Sequence, residues 1–316
     1  MLYKIIIREL CSKYIIVFIF LFIYTSGGFA SNLNIETPAE DSTPKLWKTG
    51  GTGNISFSQG YLSNWVQGGE SSISTLWSLN LFAKYKNKRI QYDNTISWKY
   101  GLHKPGEESF RKNEDIINAN TKLGYQSSSN WYYSIMLGFK SQFFNGFNYP
   151  NDSVVISSLM APAYLQASLG MDYKLNDKFS LMLSPISART TIIADTSLVD
   201  QTKYGVASDN WFKQELGAFI KAIWKYEVND HFYIQNTLEL FTNYLDKPQN
   251  IDVDWEMNIK IKATKYITTN ISTHLIYDDD IRIPKYEEID GVKTQTGYTK
   301  KVQFKELLTV GLSYKF

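Results

Sequence analysis

Short and long connections alternate along this chain, and the segments between them repeat with a period of two residues. Tight connections fall at residues 86–88, 127–130, 175–178, 228–230 and near 267–269, and long ones at 58–72, 103–113, 146–162, 195–210, 246–250 and 278–300. The segments read as strands, because successive side chains of an extended backbone point to opposite sides. Residues 251–266 are the clearest case. Val253, Trp255, Met257, Ile259, Ile261 and Ala263 alternate with Asp252, Asp254, Glu256, Asn258, Lys260, Lys262 and Thr264. Residues 73–85, 90–102, 117–125, 131–139, 165–173 and 212–226 follow the same rule.

A soluble sandwich has no reason to sort its loops by length. A membrane barrel does, with short periplasmic turns and long extracellular loops, its apolar faces in lipid and its polar faces lining the lumen. The expectation is therefore an all-β fold over residues 47–316, a transmembrane antiparallel β-barrel of about twelve strands with both ends on one side. Aromatic residues flank the short turns, in the pairs Tyr85 and Tyr92, Tyr125 and Trp131, Tyr173 and Phe179, and Tyr226 and Phe232, as an interfacial girdle would. The last stretch, residues 301–316, fits a closing strand. Val302, Phe304, Leu308, Val310, Leu312, Tyr314 and Phe316 share one face with the single acid Glu306, which is expected toward the extracellular end. Tyr314 and Phe316 are the expected insertion signal for the barrel-assembly machinery, and residues 50–57 the expected closing partner.

The compartment is expected from the start of the chain. Lys4, Arg8 and Lys13 precede an apolar run over residues 14–24, and Gly28-Phe29-Ala30 supplies small residues for cleavage after Ala30. Residues 1–30 thus read as a secretory signal peptide, and residues 31–46, with Pro38 and Pro44, as a periplasmic linker. Cys11 lies inside the leader, so the exported chain has no thiol and no Cys-based metal site. The leader carries three basic groups against Glu9, so removing it from 33 basic and 31 acidic residues leaves the signs balanced, which argues against a nucleic-acid partner. The later segments are too short for a membrane helix, so residence in lipid requires strands.

Two groups of residues carry a family resemblance. Ser58-Gln59 with Asn64-Trp65-Val66-Gln67-Gly68-Gly69-Glu70-Ser71-Ser72 is one; the other is residues 164–173 leading into Leu183-Ser184-Pro185-Ile186-Ser187-Ala188-Arg189. The chain resembles a family of Bacteroidota outer-membrane proteins of unknown function. The resemblance implies an outer-membrane barrel and assigns no catalytic or ligand residue.

The inward parity gives the candidate lumen lining: Lys48, Lys84, Asp93, Lys99, Lys122, Lys140, Asp172, Lys174, Lys213, Glu215, Lys221, Lys225, Glu239, Asp252, Asp254, Glu256, Lys260, Lys262 and His274. Such charges must be paired across strands or hydrated. The expected function is a passive channel or binding site for a small polar solute, an anion among the candidates because lysines dominate the middle strands. A barrel that serves structure or binds an envelope partner is the alternative.

Enzymatic chemistry is not expected. Ser272 and His274 share a face and invite comparison with the outer-membrane phospholipase, but they should face the lumen, and residues two apart on a strand seldom reach the geometry of base-assisted attack. His103 and His231 read as loop and turn residues. Asn64, Trp65, Gly68 and Gly69 read as a turn packed on the rim, with a constriction or ligand platform as the functional alternative. No cofactor and no metal is assigned, although Asp278, Asp279 and Asp280 form a weak calcium candidate without EF-hand spacing. Pro185 should mark a bulge in the seventh strand.

Overall fold

A computed structural model describes residues 46–62, 70–149, 151–281, 283–289 and 292–316. The expected signal peptide, the linker up to residue 45 and the Asn64, Trp65, Gly68 and Gly69 element lie outside the described residues. The strands in chain order are β1 (Trp47–Gly60), β2 (Ser72–Asn87), β3 (Ile90–Pro105), β4 (Arg111–Gln126), β5 (Trp131–Ser141), β6 (Gly146–Asn148), β7 (Asn151–Ser157), β8 (Ala163–Asn176), β9 (Phe179–Ile192), β10 (Phe212–Asn229), β11 (Phe232–Asn243), β12 (Asp252–Lys262), β13 (Ile267–Tyr277), β14 (Ile283–Ile289), β15 (Val292–Thr299) and β16 (Gln303–Lys315).

Twelve of them close into an antiparallel barrel in the order β1-β16-β13-β12-β11-β10-β9-β8-β5-β4-β3-β2. Closure is made where the last strand meets the first: Thr52 to Phe57 pair with Lys315 to Val310, and Gly51 and Phe316 exchange backbone hydrogen bonds of 3.0 and 3.1 Å. The seam leaves no open sheet edge, the condition for a barrel to be stable in hydrocarbon.

The alternation read from sequence is the alternation of exposure. Outward Ile55, Leu123, Ile135, Leu169, Ile186, Leu216, Leu308, Val310 and Leu312 are exposed, whereas inward Ser56, Ser134, Asp172, Glu215 and Ser313 are buried. This inverts a globular core: apolar groups lie outside and polar groups inside. At the short-turn end the girdle forms as ring contacts, with Trp47 5.2 Å from Tyr85, Trp131 5.0 Å from Tyr173 and Tyr314 6.2 Å from Phe316.

Several boundaries differ from the sequence reading. The turn expected near 267–269 spans residues 263–266, because Thr264 Oγ1 accepts from the Tyr266 and Ile267 amides and ends β12 early. β3 and β4 run on until residues 106–110 alone connect them, which places His103 inside β3, its Nδ1 2.8 Å from Ser74 Oγ. Two long connections contain hairpins of their own, β6 with β7 and β14 with β15. A third, residues 193–211, carries a 3-10 turn at Gln201–Tyr204, capped by Asp200 and ended by Gly205 in the left-handed region.

Two long connections pack into a cap. Ala161, Ile193, Val199 and Val206 are fully buried together, with Val155 and Tyr204 against them. The Tyr204 hydroxyl donates to the Ile156 carbonyl at 2.8 Å, and burial pushes that phenol up to about 12.

Candidate functional site

The bulge expected at Pro185 sits in β9, and it decides what occupies the middle of the lumen. On the β8 side the register jumps from Leu169 opposite Ile186 to Met171 opposite Leu183, and on the β10 side from Gly217 opposite Ser187 to Phe219 opposite Ser184. The extra residue shifts which parity faces inward. Ser180, Met182 and Ser184 point inward before it; Ser187, Arg189 and Thr191 point inward after it. Ser184 and Ser187 therefore share the inner face, 3.1 Å apart, and Ser184 Oγ donates to the Leu169 carbonyl across the bulge at 2.8 Å. Ser187 donates to Ser168 at 2.8 Å. This is a physical reason for serines on both sides of Pro185 and Ile186.

Arg189, outward by simple parity and turned inward by the bulge, becomes the hub of the long-connection half. Its Nε lies 3.0 Å from Glu215, its Nη2 2.5 Å from Asp252 and its Nη1 3.8 Å from Asp278, and the guanidinium stands 4.2 Å over the Phe241 ring. Lys213 pairs with Glu215 and with Asp280. Beside this network Lys140 on β5 reaches Glu239 at 3.0 Å and Asp254 at 2.9 Å, Lys221 holds Glu239 at 2.8 Å, and His274 Nε2 lies 2.8 Å from Asp254. β5 and β12 are five strands apart around the twelve, so the Lys140–Asp254 pair bridges the lumen.

A second network fills the short-turn half. Lys122 pairs with Asp172 at 2.7 Å, and Lys174 with Asp93 at 2.6 Å, while Gln91 joins Lys174 to the Tyr132 hydroxyl. Between the two lie four inward apolar side chains, Met136, Met182, Phe219 and Phe241, packed together and each at most 4% exposed. Lys305 on β16 reaches Glu114 on β4 at 2.9 Å, a pair missed because Glu114 abuts the residues assigned to a connection.

Of the expected lining, Lys84, Lys99, Lys225 and Lys262 make no ion pair among the described residues, Lys262 is exposed at the short-turn rim, and Lys260 donates to Ser313 at 2.8 Å. Lys122, Lys140, Lys174, Lys213 and Lys221 are each paired with a carboxylate. A cavity of about 290 Å³ opens above the apolar layer. Its ionisable lining comprises Asp115, Glu239, Asp252, Asp254 and Asp278 against Lys140, Arg189 and His274, an acidic balance.

Two other sequence candidates resolve differently. The Ser272 hydroxyl donates to Asn258 at 2.8 Å while His274 faces Asp254, so the two are not joined. Asp278, Asp279 and Asp280 do not converge on one point: they face Arg189, Lys300 and Lys213 in turn. The hydrogen bond from Lys300 holds Asp279 below the usual carboxylate value.

Asp278, just beyond β13, is pushed up to about 6 by burial, reinforced by the negative charges of Asp252 and Asp280 and opposed by Arg189. The folded chain thus keeps this proton to higher pH than the unfolded one, whose aspartates titrate near ~4. Its contribution to stability is complete below ~4 and is lost as pH rises to about 6. Asp278→Asn is expected to flatten melting temperature over that window and to raise it at neutral pH; an unchanged pH profile would refute this assignment.

Residues 57–147 match a family model described as a protein of unknown function, DUF3078. The match includes the Asn64 to Gly69 element and stops before the Pro185 bulge. No curated protein matches the chain. Among solved structures, the translocator domain of the autotransporter NalP from Neisseria meningitidis is 7% identical, with a TM-score of 0.37 over 87% of this chain and 90% of that one. The COG4313 outer-membrane channel from Pseudomonas putida F1 is 12% identical, also with a TM-score of 0.37, over 89% and 99%. The P. putida toluene transporter TodX is 9% identical, with a TM-score of 0.29 over 86% and 90%.

Proposed function

We propose that this chain is an outer-membrane barrel that binds a small polar solute, neutral or cationic, in the long-connection half of its lumen and holds no wide pore open. The observation that carries the reading is the Lys140 bridge to Asp254, lying beside a packed Met136, Met182, Phe219 and Phe241 layer with a cavity above. Lipid contacts the exposed apolar band, and the long connections face outward from the cell. Export uses residues 1–30, with cleavage after Ala30, and Tyr314 and Phe316 present the closing strand to the barrel-assembly machinery. The resemblance to a Bacteroidota outer-membrane family supports a Gram-negative envelope protein. The role is non-catalytic, in keeping with Ser272 and His274 turned to different partners.

Planar-bilayer recording of the purified chain, combined with solute titration by tryptophan fluorescence, tests the reading. The wild type should conduct weakly and respond to a polar cation or neutral sugar rather than to an anion. Lys140→Ala removes the bridge and leaves Glu239 with Lys221 alone and Asp254 with His274 alone, so conductance should rise severalfold and become cation-selective. A wide conductance in the wild type would sink the proposal. Neither conductance nor binding would favour a partner-binding barrel, whose surface would be the exposed Tyr61, Phe110, Phe144 and Leu245 of the long connections.

A further inference from the structure

We propose that Asp254, Glu256 and His274 form a lumenal binding site for a divalent transition-metal ion. The backbone brings them together. Asp254 and Glu256 are two apart on β12 and share its inner face, and the register with β13 sets His274 opposite Glu256. One carboxylate oxygen from each acid and one imidazole nitrogen all lie within 4.8 Å of one another. Three ligands at bonds of about 2.0 Å in tetrahedral coordination stand roughly 3.3 Å apart, so closing the site takes a rotamer adjustment and no backbone movement.

Three further features favour an ion here. Glu256 has no ion pair or hydrogen bond among the described residues, so one ligand is uncommitted. The imidazole is already held by its 2.8 Å contact to Asp254, a pair in which an ion can replace the shared proton. Asp254 and His274 also line the 290 Å³ cavity, which leaves room for water or a solute atom in the open coordination positions. One imidazole with two carboxylates suits Zn²⁺, Co²⁺, Ni²⁺ or Mn²⁺; a soft Cu(I) ion would seek thiolate, and a calcium ion would seek oxygen alone.

Lys140 is the resident cation of this site, 2.9 Å from Asp254, and it has a second carboxylate, Glu239, to retreat to at 3.0 Å. Metal and ammonium therefore compete for Asp254. This gives the proposal a signature that a mere salt-bridge cluster lacks: removing the lysine charge should strengthen metal binding.

The site does not rest on solute binding or transport. The test is titration of the purified, folded full-length barrel with Co²⁺, read by visible d–d absorption, followed by displacement with Zn²⁺. The wild type should show a saturable band, weakened about tenfold or more by His274→Ala and by Glu256→Gln. Lys140→Met should tighten binding, and its melting temperature should recover on metal addition. Circular dichroism confirms that each variant retains its strands. No saturable band in the wild type, a band indifferent to His274→Ala, or a Lys140→Met chain that binds no more tightly would each overturn the proposal.

Discussion

Arg189→Met is expected to destabilise the barrel by about 3–5 kcal/mol, because it removes the one guanidinium that serves three carboxylates in a confined interior. Glu215 is 2% exposed and would keep only Lys213 at 3.0 Å and Asn243 at 3.2 Å. Asp252 would lose its 2.5 Å partner, and the Phe241 ring its cation. The cost arises from stranded charge rather than from lost attraction, so the double variant Arg189→Met with Glu215→Gln should recover part of it. Urea unfolding of the chain in lipid vesicles, followed by tryptophan emission, reads the effect. A midpoint equal to that of the wild type would show that water, not Arg189, satisfies these acids.

A larger loss is expected from Gly170→Val, this time at the level of assembly. Gly170 faces the bulge, and a Cβ there would fall on the Leu183 carbonyl oxygen and within 2.6 Å of the Ser184 Cα, both backbone groups of the neighbouring strand. The strands cannot separate without breaking the β8 to β9 ladder on which closure depends. The variant should fail to give the folded, heat-modifiable band on cold gel electrophoresis. Gly138→Ala is the control: its Cβ would meet the Asn120 amide oxygen at 3.2 Å, the end of a side chain that can turn aside. A folded Gly170→Val barrel, or an equally defective Gly138→Ala, would show that the bulge does not impose this demand.

These two positions also mark how far residue order alone could be read. Leu308, Val310 and Leu312 announce a lipid-facing strand because alternation is a property of the extended backbone itself, and a one-residue error would put every one of them in the lumen. Lys122, Lys140, Glu239 and Asp254, inward by the same parity, meet one another or Asp172 in ion pairs, since β4, β5, β11 and β12 are regular over those residues. Parity failed at Arg189, four residues past Pro185. Proline marked the bulge, yet whether the extra residue falls before or after the serines depends on pairing with β8 and β10. It failed differently at Glu114 and Lys305, whose partnership joins residues 191 positions apart.

What residue order determined by itself is the class of fold: the two-residue period, the sorted connections and the aromatic ends leave a closed membrane barrel as the arrangement that satisfies every backbone group in lipid. Which charges neutralise one another was decided only in three dimensions. Lys140 has acids near it on no neighbouring stretch of chain, and it meets Glu239 and Asp254 because closing the sheet brings β5 across from β11 and β12. A local pattern can say that a side chain points inward. The curvature and register of the closed sheet decide what it finds there.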